Sequence, residues 1–308
     1  MIYNRKRSLI IITLILILTL ISGCSIEIID YAGDDSKTAE QNVDESGELY
    51  AHFLDVGQGD AILVRLPGGK NMLIDAGPNS SSDKVVGYLK KEGIKKIDVL
   101  VGTHPHEDHI GGMAEVIKNF DIGSIYMPKV THTSKTYKRM LEAIKGKNLK
   151  INSAVEGMDI PLEGVEAKIL APSKDMSSDN LNDYSIVIRL VYKDTAFIFQ
   201  GDAEAKTEER ILDGAYDIHA DVIKIGHHGS RTSSTKEYID KINPKYAVLM
   251  LAEGNDYGHP HRQTMELLKG KGITIYRTDQ CGTIVAKSDG NEISFNCKPG
   301  NYSYPKKK

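Results

Sequence analysis

Three imidazoles and two carboxylates crowd one short stretch of this sequence, Thr103-His104-Pro105-His106-Glu107-Asp108-His109-Ile110-Gly111-Gly112. Histidine and carboxylate at such density are the makings of a divalent-metal site. Neutral imidazole with carboxylate suits Zn, Mn or Fe, and the absence of Cys argues against a closed structural zinc site. Pro105 removes a backbone donor and keeps His104 extended. In extended backbone alternate side chains share a side, so His104, His106 and Asp108 are expected to face together and His109 to point elsewhere. Two sets of donors are what two neighbouring ions require. A lone His is usually an ordinary surface or core residue, but His-x-His-x-Asp-His before a double Gly is much harder to obtain by chance.

The elements around this stretch set where its side chains can go. The apolar run Ile97–Val101 before it reads as a buried strand, and Met113, Val116, Ile117 and Phe120 after it recur at helical spacing. The cluster therefore sits on a strand-to-helix loop. Three other places repeat that logic. Asp75 ends the apolar strand Asn71–Asp75 and is expected to orient a metal-bound His by hydrogen bonding, a turn-forming role being the alternative. Asp202 follows the strand Thr195–Gln200 and is a candidate bridge between two ions, or else the N-cap of a helix over 203–212. His227-His228-Gly229-Ser230 follows the strand Asp221–Gly226. The chain opens with three strands, 49–56, 61–66 and 71–75, as an antiparallel meander. Gly57 and Gly59 turn it, and Asp60 is placed either toward the same edge or as a turn residue. Helices are expected over 83–92, 134–145, 232–242 and 264–269, and strands over 124–127, 165–170, 185–192, 246–251 and 273–276. Residues 171–183 read as a polar loop.

The ends of the chain differ from its middle. Arg5, Lys6 and Arg7 precede an uncharged apolar run, Leu9 to Ile21, too short for a comfortable membrane span and suited to a signal sequence. Ile21-Ser22-Gly23-Cys24 resembles a bacterial lipobox, which would make Cys24 the lipidated first residue of an exported protein held on the outer face of the cell membrane. An uncleaved N-terminal anchor is the alternative. The expected organisation is a signal peptide over 1–23, a flexible tether over 24–47, a folded domain over 48–298 and a polar, basic tail over 299–308. The 308 residues carry a formal charge of −3, and loss of residues 1–23 would take it to −6. Overall charge therefore excludes a general nucleic-acid binder, and a polyanion would need a local basic patch. Cys281 and Cys297 flank a hairpin turning at Ser288-Asp289-Gly290 and would lie opposite each other. A disulfide is expected there, with two free thiols as the alternative.

In order, strand-end Asp75, the His104–His109 cluster, Asp202 and His227-His228 resemble the metallo-β-lactamase fold, an αββα sandwich with metals along one edge. More narrowly, the chain is similar to the hydrolase domain of ComEC-type DNA-uptake competence proteins. Leu54-Asp55-Val56-Gly57-Gln58-Gly59-Asp60-Ala61, Asp221-Val222-Ile223-Lys224, His227-His228-Gly229-Ser230 and Gly258-His259-Pro260-His261 carry that likeness, with Thr278-Asp279. The chain looks like that domain standing alone behind a lipoprotein signal, without the many membrane helices of an uptake channel. The resemblance implies His104 and His106 at one metal, Asp108 and His109 at the other, Asp202 between them, and His227 or His228 completing the second. The further His of the wider superfamily is missing here. Asn182 and Asp183 stand at its place, which leaves the first metal a ligand short and brings manganese in beside zinc. Water held between two such ions is deprotonated near neutral pH and can attack phosphorus or a carbonyl. Asp108 or His259 is a candidate proton donor to the leaving group. Lys224, Ser230, Arg231, His261 and Arg262 are candidate phosphate contacts. The reading is an exported, membrane-tethered metal-dependent phosphodiesterase or nuclease whose partners are a phosphodiester such as DNA and, through Cys24, the membrane. Hydrolysis of a β-lactam or lactone, and a non-catalytic binding lipoprotein, are the competing readings.

Overall fold

Tight glycine turns fold the start of the domain back on itself. β1 (Leu49–Phe53), β2 (Ile62–Arg65) and β3 (Asn71–Ile74) pair antiparallel in succession. The computed structural model describes residues 47–305. The expected signal peptide, Cys24, nearly all of the tether and the last three residues of the tail lie outside the described residues.

After the meander the chain alternates helix and strand. α1 (Ser82–Lys91) leads to β4 (Lys96–Val101), then α2 (Glu107–Ile110) and α3 (Met113–Asn119) to β5 (Asp121–Pro128), and α4 (Lys135–Gly146) to β6 (Ile151–Ala154). β3, β4, β5 and β6 run parallel. A second run supplies β7 (Glu166–Ala171), β8 (Val187–Tyr192), β9 (Thr195–Phe199), α5 (Ala205–Asp213), β10 (Val222–Lys224), α6 (Lys236–Ile242), β11 (Tyr246–Leu249), α7 (Arg262–Gly270), β12 (Thr274–Arg277) and the single turn α8 (Thr278–Cys281). The hairpin β13 (Ile284–Ser288) and β14 (Ile293–Phe295) returns to the first sheet and pairs with β1. The first sheet has the order β14-β13-β1-β2-β3-β4-β5-β6, the second β12-β11-β10-β9-β8-β7.

Burial explains the near-continuous apolar runs. One face of each sheet meets the other sheet: Phe53, Ile62, Met72 and Val99 share a core with Ile169, Ile188, Phe197 and Phe199. The outer face of the first sheet, with Leu63, Leu73 and Leu100, is covered by α1, α3 and α4. The outer face of the second, with Ile198, Ile223 and Ala247, is covered by α5, α6 and α7. Strands covered on both faces need no polar alternation. The result is the four-layer αββα sandwich expected from sequence.

The elements agree with expectation except at margins. β6 was not anticipated: Ile151, Asn152 and Ser153 are all exposed, so this edge strand shows no hydrophobic period. α8 is too short to give one. Cys281 and Cys297 are thiols rather than a disulfide, with the Cys297 sulfur donating to that of Cys281 at 2.9 Å. Residues 299–305 pack on the domain, where Arg277 donates to the carbonyls of Asn301 and Ser303 and Tyr302 donates to that of Ile273. Among the described residues no helix is long and apolar enough to cross a membrane.

Candidate metal centre

All the strand-end residues converge on one edge, because β3 runs parallel to β4 and β9, β10 and β11 run parallel to one another. Their carboxyl ends open together, the usual place for a site in such sheets. After β4 the chain stays extended through His106 and then turns helical at Glu107. The expected alternation therefore holds for His104 and His106 only. Asp108 and His109 leave the helical turn together and form the second set, which corrects the grouping read from extended geometry.

Glycine permits this turn to pack. At Gly59 φ is +141°, and a Cβ there would stand 2.2 Å from the backbone oxygen of Asp108. At Gly112 a Cβ would stand 2.3 Å from the oxygen of Ala76. The β1–β2 turn and the β3 end thus press directly on the ligand loop. His227 (φ 48°, ψ 48°) and His228 (φ 53°, ψ 26°) are both left-handed, as is Asp75 (φ 58°). Non-glycine residues so held cost about 1–3 kcal/mol each and tend to cluster at functional sites.

Hydrogen bonds orient each ring. Asp75, wholly buried, accepts from the Thr103 amide at 2.8 Å, the Thr103 hydroxyl at 2.7 Å and His109 Nδ1 at 2.8 Å. Thr103 Oγ1, having donated to Asp75, accepts from His104 Nδ1 at 3.1 Å. His228 Nδ1 donates to the carbonyl of Met250 at 2.9 Å. In each ring Nδ1 is taken up by an oxygen partner, so Nε2 is the nitrogen turned toward the site, the arrangement typical of metal-bound histidine. His227 is held likewise, Nδ1 to Glu204 Oε1 at 3.0 Å.

The free nitrogens meet carboxylates. His109 Nε2 lies 3.2 Å from Asp202 Oδ2 and 3.8 Å from Asp108 Oδ2, and His228 Nε2 lies 3.5 and 3.3 Å from the same two atoms. Ligands about 2.0–2.2 Å from one ion stand roughly 3.3–3.6 Å apart at tetrahedral angles. His104 Nε2 and His106 Nδ1 face each other at 3.0 Å in the other set. Asp202 lies between the sets. Asn182 and His227, whose Nε2 lies 3.7 Å from Asp202 Oδ2, line the same pocket.

Charge and unmet bonding argue for a cation. Asp60, Asp75, Asp108 and Asp202 all surround His109, and one buried ammonium, Lys224, pairs with Asp60 and lies 3.8 Å from Asp202 Oδ1. Burial works against an imidazolium at His109, but Asp202, Asp108 and Asp75 outweigh it and raise its pKa well above the ordinary value. Burial likewise opposes charge on Asp202, yet His109 and His228 hold it well below the usual carboxylate range. His104, by contrast, is lowered by burial and then by His109. His109 Nε2, His228 Nε2, Asp202 Oδ1 and Asn182 Oδ1 are buried with no hydrogen-bond partner in the protein, which is costly unless a ligand satisfies them. These residues fit a divalent ion at Asp108, His109, Asp202 and His228.

A family model for the metallo-beta-lactamase superfamily matches residues 54–253, most of the described chain. The chain belongs to the metallo-β-lactamase superfamily. Among curated superfamily relatives it is 30% identical over 272 residues to ComE operon protein 3 of Bacillus subtilis, covering 82% of this chain and 35% of that protein. It is 30% identical over 233 residues to competence protein ComA of Neisseria gonorrhoeae, covering 75% of this chain and 31% of that protein. The chain thus spans about a third of the length of these relatives. Among solved structures, the metallo-β-lactamase fold protein YhfI of Bacillus subtilis superposes with a TM-score of 0.51 at 12% identity, over 78% of this chain and 100% of that one. This superfamily metal-dependent hydrolase thus carries its donors at the strand ends that the sequence marks.

Not every candidate stands where sequence placed it. His104, His106, Asp108, His109, Asp202, His227 and His228 are together, with Asn182 and His259 on the same wall. Asp60 lies beneath them. Lys224, expected to touch substrate, is completely buried: its ammonium pairs with Asp60 and donates to the carbonyl of Gly201 at 3.0 Å. Ser230 is buried and bonds to Thr232, while Arg262 is an exposed partner of Glu266 at 3.5 Å. His261 Nδ1 accepts from the amide of Arg231, and none of these four lines the pocket. Asp183 turns away to Ser178 and Lys206. Burial, and then His228, His227 and His261, push the pKa of His259 down to about 3, so it is a neutral imidazole near pH 7. Sequence reading missed Glu204, whose Oε1 takes His227 Nδ1 at 3.0 Å, Asn182 Nδ2 at 3.3 Å and Thr232 Oγ1 at 2.9 Å. Its position two residues after Asp202 was the available signal. Gln58 and Tyr257 were missed too.

Proposed function

We propose that this metal-dependent hydrolase is a phosphodiesterase, and that DNA is among its substrates. The observation that carries the proposal is the character of the pocket over the metal centre. Its volume is about 320 Å³, and it is lined by Gln58, His106, Glu107, Asp108, Asn182, Asp202, His227, His228, Tyr257 and His259. Every residue of the wall carries a polar or ionisable group and none is aliphatic, whereas pockets for carbon skeletons such as lactams are mostly apolar. The similarity to competence proteins supports the same reading.

Bound divalent ions, zinc or manganese, would supply Lewis acidity and a deprotonated water at neutral pH. His104 and His106 would hold one ion, with Asn182 and His227 beside them, and Asp108, His109 and His228 the other, with Asp202 shared. Asp75 and Thr103 keep the imidazoles in the ligating tautomer, and Glu204 does so for His227. Asp108 and neutral His259 line the pocket beside the other ligands. We further propose that residues 1–23 direct export and that Cys24 carries lipid on the outer face of the cell membrane. The basic start, short apolar run and lipobox-like Ile21–Cys24 support this.

The test is to strip the purified protein of metal, add back Zn or Mn separately, and follow cleavage of bis(p-nitrophenyl) phosphate and of single-stranded DNA, with His106→Ala alongside. Cleavage restored by metal and lost in the variant is expected. Tight metal binding without cleavage of either substrate overturns the phosphodiester reading and moves β-lactams and lactones forward. Palmitate labelling that survives Cys24→Ser would overturn the lipid anchor.

A further inference from the structure

Tyr257 is set apart by its exposure at the metal pocket. Large apolar or aromatic side chains are normally covered, and among the described residues only Ile151 and Tyr257 stand out as exposed, at 38% and 66%. Tyr257 sits on the lip of the metal pocket. Its ring lies over that of His259, with centroids 5.7 Å apart and planes 23° apart. His259 in turn lies edge-on to His227 at 5.5 Å and tilted toward His228 at 6.3 Å. Aromatic surface therefore runs without a break from solvent to the ligands. The loop beneath is braced: Asn255 Nδ2 donates to the carbonyls of Ala252 at 2.9 Å and His259 at 2.7 Å, and its Oδ1 accepts from the His259 amide at 3.0 Å.

The charge of the site says what such a ring is for. A chain of net charge −3 whose pocket carries Glu107, Asp108 and Asp202 does not hold a polyanion by overall electrostatics. Arg231 and Arg262 do not line the pocket. Stacking of a base on an aromatic face is an independent source of affinity, and a base can reach a protein ring only when it is unstacked, as in a single strand.

Resting on the phosphodiesterase reading above, we infer that Tyr257, backed by His259, is a stacking platform for a nucleobase of a single-stranded substrate beside the phosphate at the metal centre. Tyr257 is then a specificity residue, separating base-bearing phosphodiesters from those without bases.

The chain contains no tryptophan, so Tyr257→Trp places a sole indole reporter on the platform. Oligothymidylate with a phosphorothioate backbone, which slows cleavage, should quench that fluorescence. An abasic strand of equal length and the duplex should not. In parallel, anisotropy titrations of the metal-loaded full chain should show base-bearing strand bound more tightly than abasic strand, with the ratio falling roughly 5- to 150-fold in Tyr257→Ala and recovering in Tyr257→Phe. Equal binding of base-bearing and abasic strands by the unaltered protein, quenching by duplex to the same degree, or no binding of either strand overturns the platform. Cleavage of bis(p-nitrophenyl) phosphate decides the phosphodiesterase reading separately. Tyr257-dependent binding of the strand, with no metal-restored cleavage of either bis(p-nitrophenyl) phosphate or unmodified single-stranded DNA, upholds the platform and overturns that reading.

Discussion

Replacing Lys224 with methionine tests how the metal centre is held up from below. Lys224 and Asp60 are each at most 1% exposed, and the ammonium also lies 3.8 Å from Asp202 Oδ1. Methionine keeps most of the side-chain volume, so the cavity contribution is small and the loss is electrostatic. Asp60 would be left as a buried carboxylate whose Oδ1 already lacks a hydrogen-bond partner. Removing one member of such a pair costs about 3–5 kcal/mol, because the survivor remains desolvated and uncompensated. For a domain of this size that is a fall in Tm of about 6–20 °C. The assay is denaturant and thermal unfolding of metal-stripped protein, followed by circular dichroism, for Lys224→Met, Asp60→Asn and the double variant. The double variant should recover at least half of the loss, since neither charge is then stranded. A loss below about 1 kcal/mol in Lys224→Met, or a double variant as unstable as the sum of the singles, would refute the view that this pair is a desolvated unit.

Other consequences follow from particular contacts. Burial, and then Arg65, push the pKa of His52 down to about 4. The unfolded chain, with its ordinary value of 6.5, takes up the proton first, so the stability gained from a neutral His52 is full above pH 6.5 and lost as pH falls toward 4. His52→Phe should flatten the acid limb of the stability curve across that window by about 3 kcal/mol, and an unchanged slope would contradict the assignment. Asp75→Asn keeps the shape but weakens the acceptor for His109 Nδ1 and Thr103, so metal affinity measured by competition with a chelator should fall about 10- to 100-fold. Gly112→Ala must displace the Ala76 carbonyl, and it should lower both stability and metal occupancy, read by calorimetry and elemental analysis. Glu204→Gln should loosen only the metal held near His227, seen as one weakened site of two in a titration with cobalt followed by its visible absorption.

Much of this protein was legible along the chain. His104, His106, Asp108 and His109 lie within one turn and its approach, so covalent proximity alone brings them together. Apolar runs covered on both faces mark the strands, and a polar residue directly after such a run marks the functional edge. Asp75, Asp202 and His227-His228 were found in that way. Of the family motifs, Asp221–Lys224 with His227–Ser230 fell within these stretches. What remained hidden has the opposite character. The edge strand β6 shows no period because it faces solvent. Tyr257 reads as any loop tyrosine until its exposure beside the pocket is seen.

Tertiary structure decided the rest, because ligand choice depends on which atom of a ring meets which distant group. His228 joins Asp108 and His109 because two left-handed residues in succession turn it inward and the Met250 carbonyl claims its Nδ1. His227 turns instead to Glu204. Lys224 is the last residue of β10, close to the same edge as the others, yet its ammonium turns to Asp60 rather than out to substrate. A sequence shows which residues stand at strand ends. Whether a side chain there meets solvent, a substrate or a buried countercharge is settled only when both sheets close over the same edge, since desolvation and pairing are properties of that closed space.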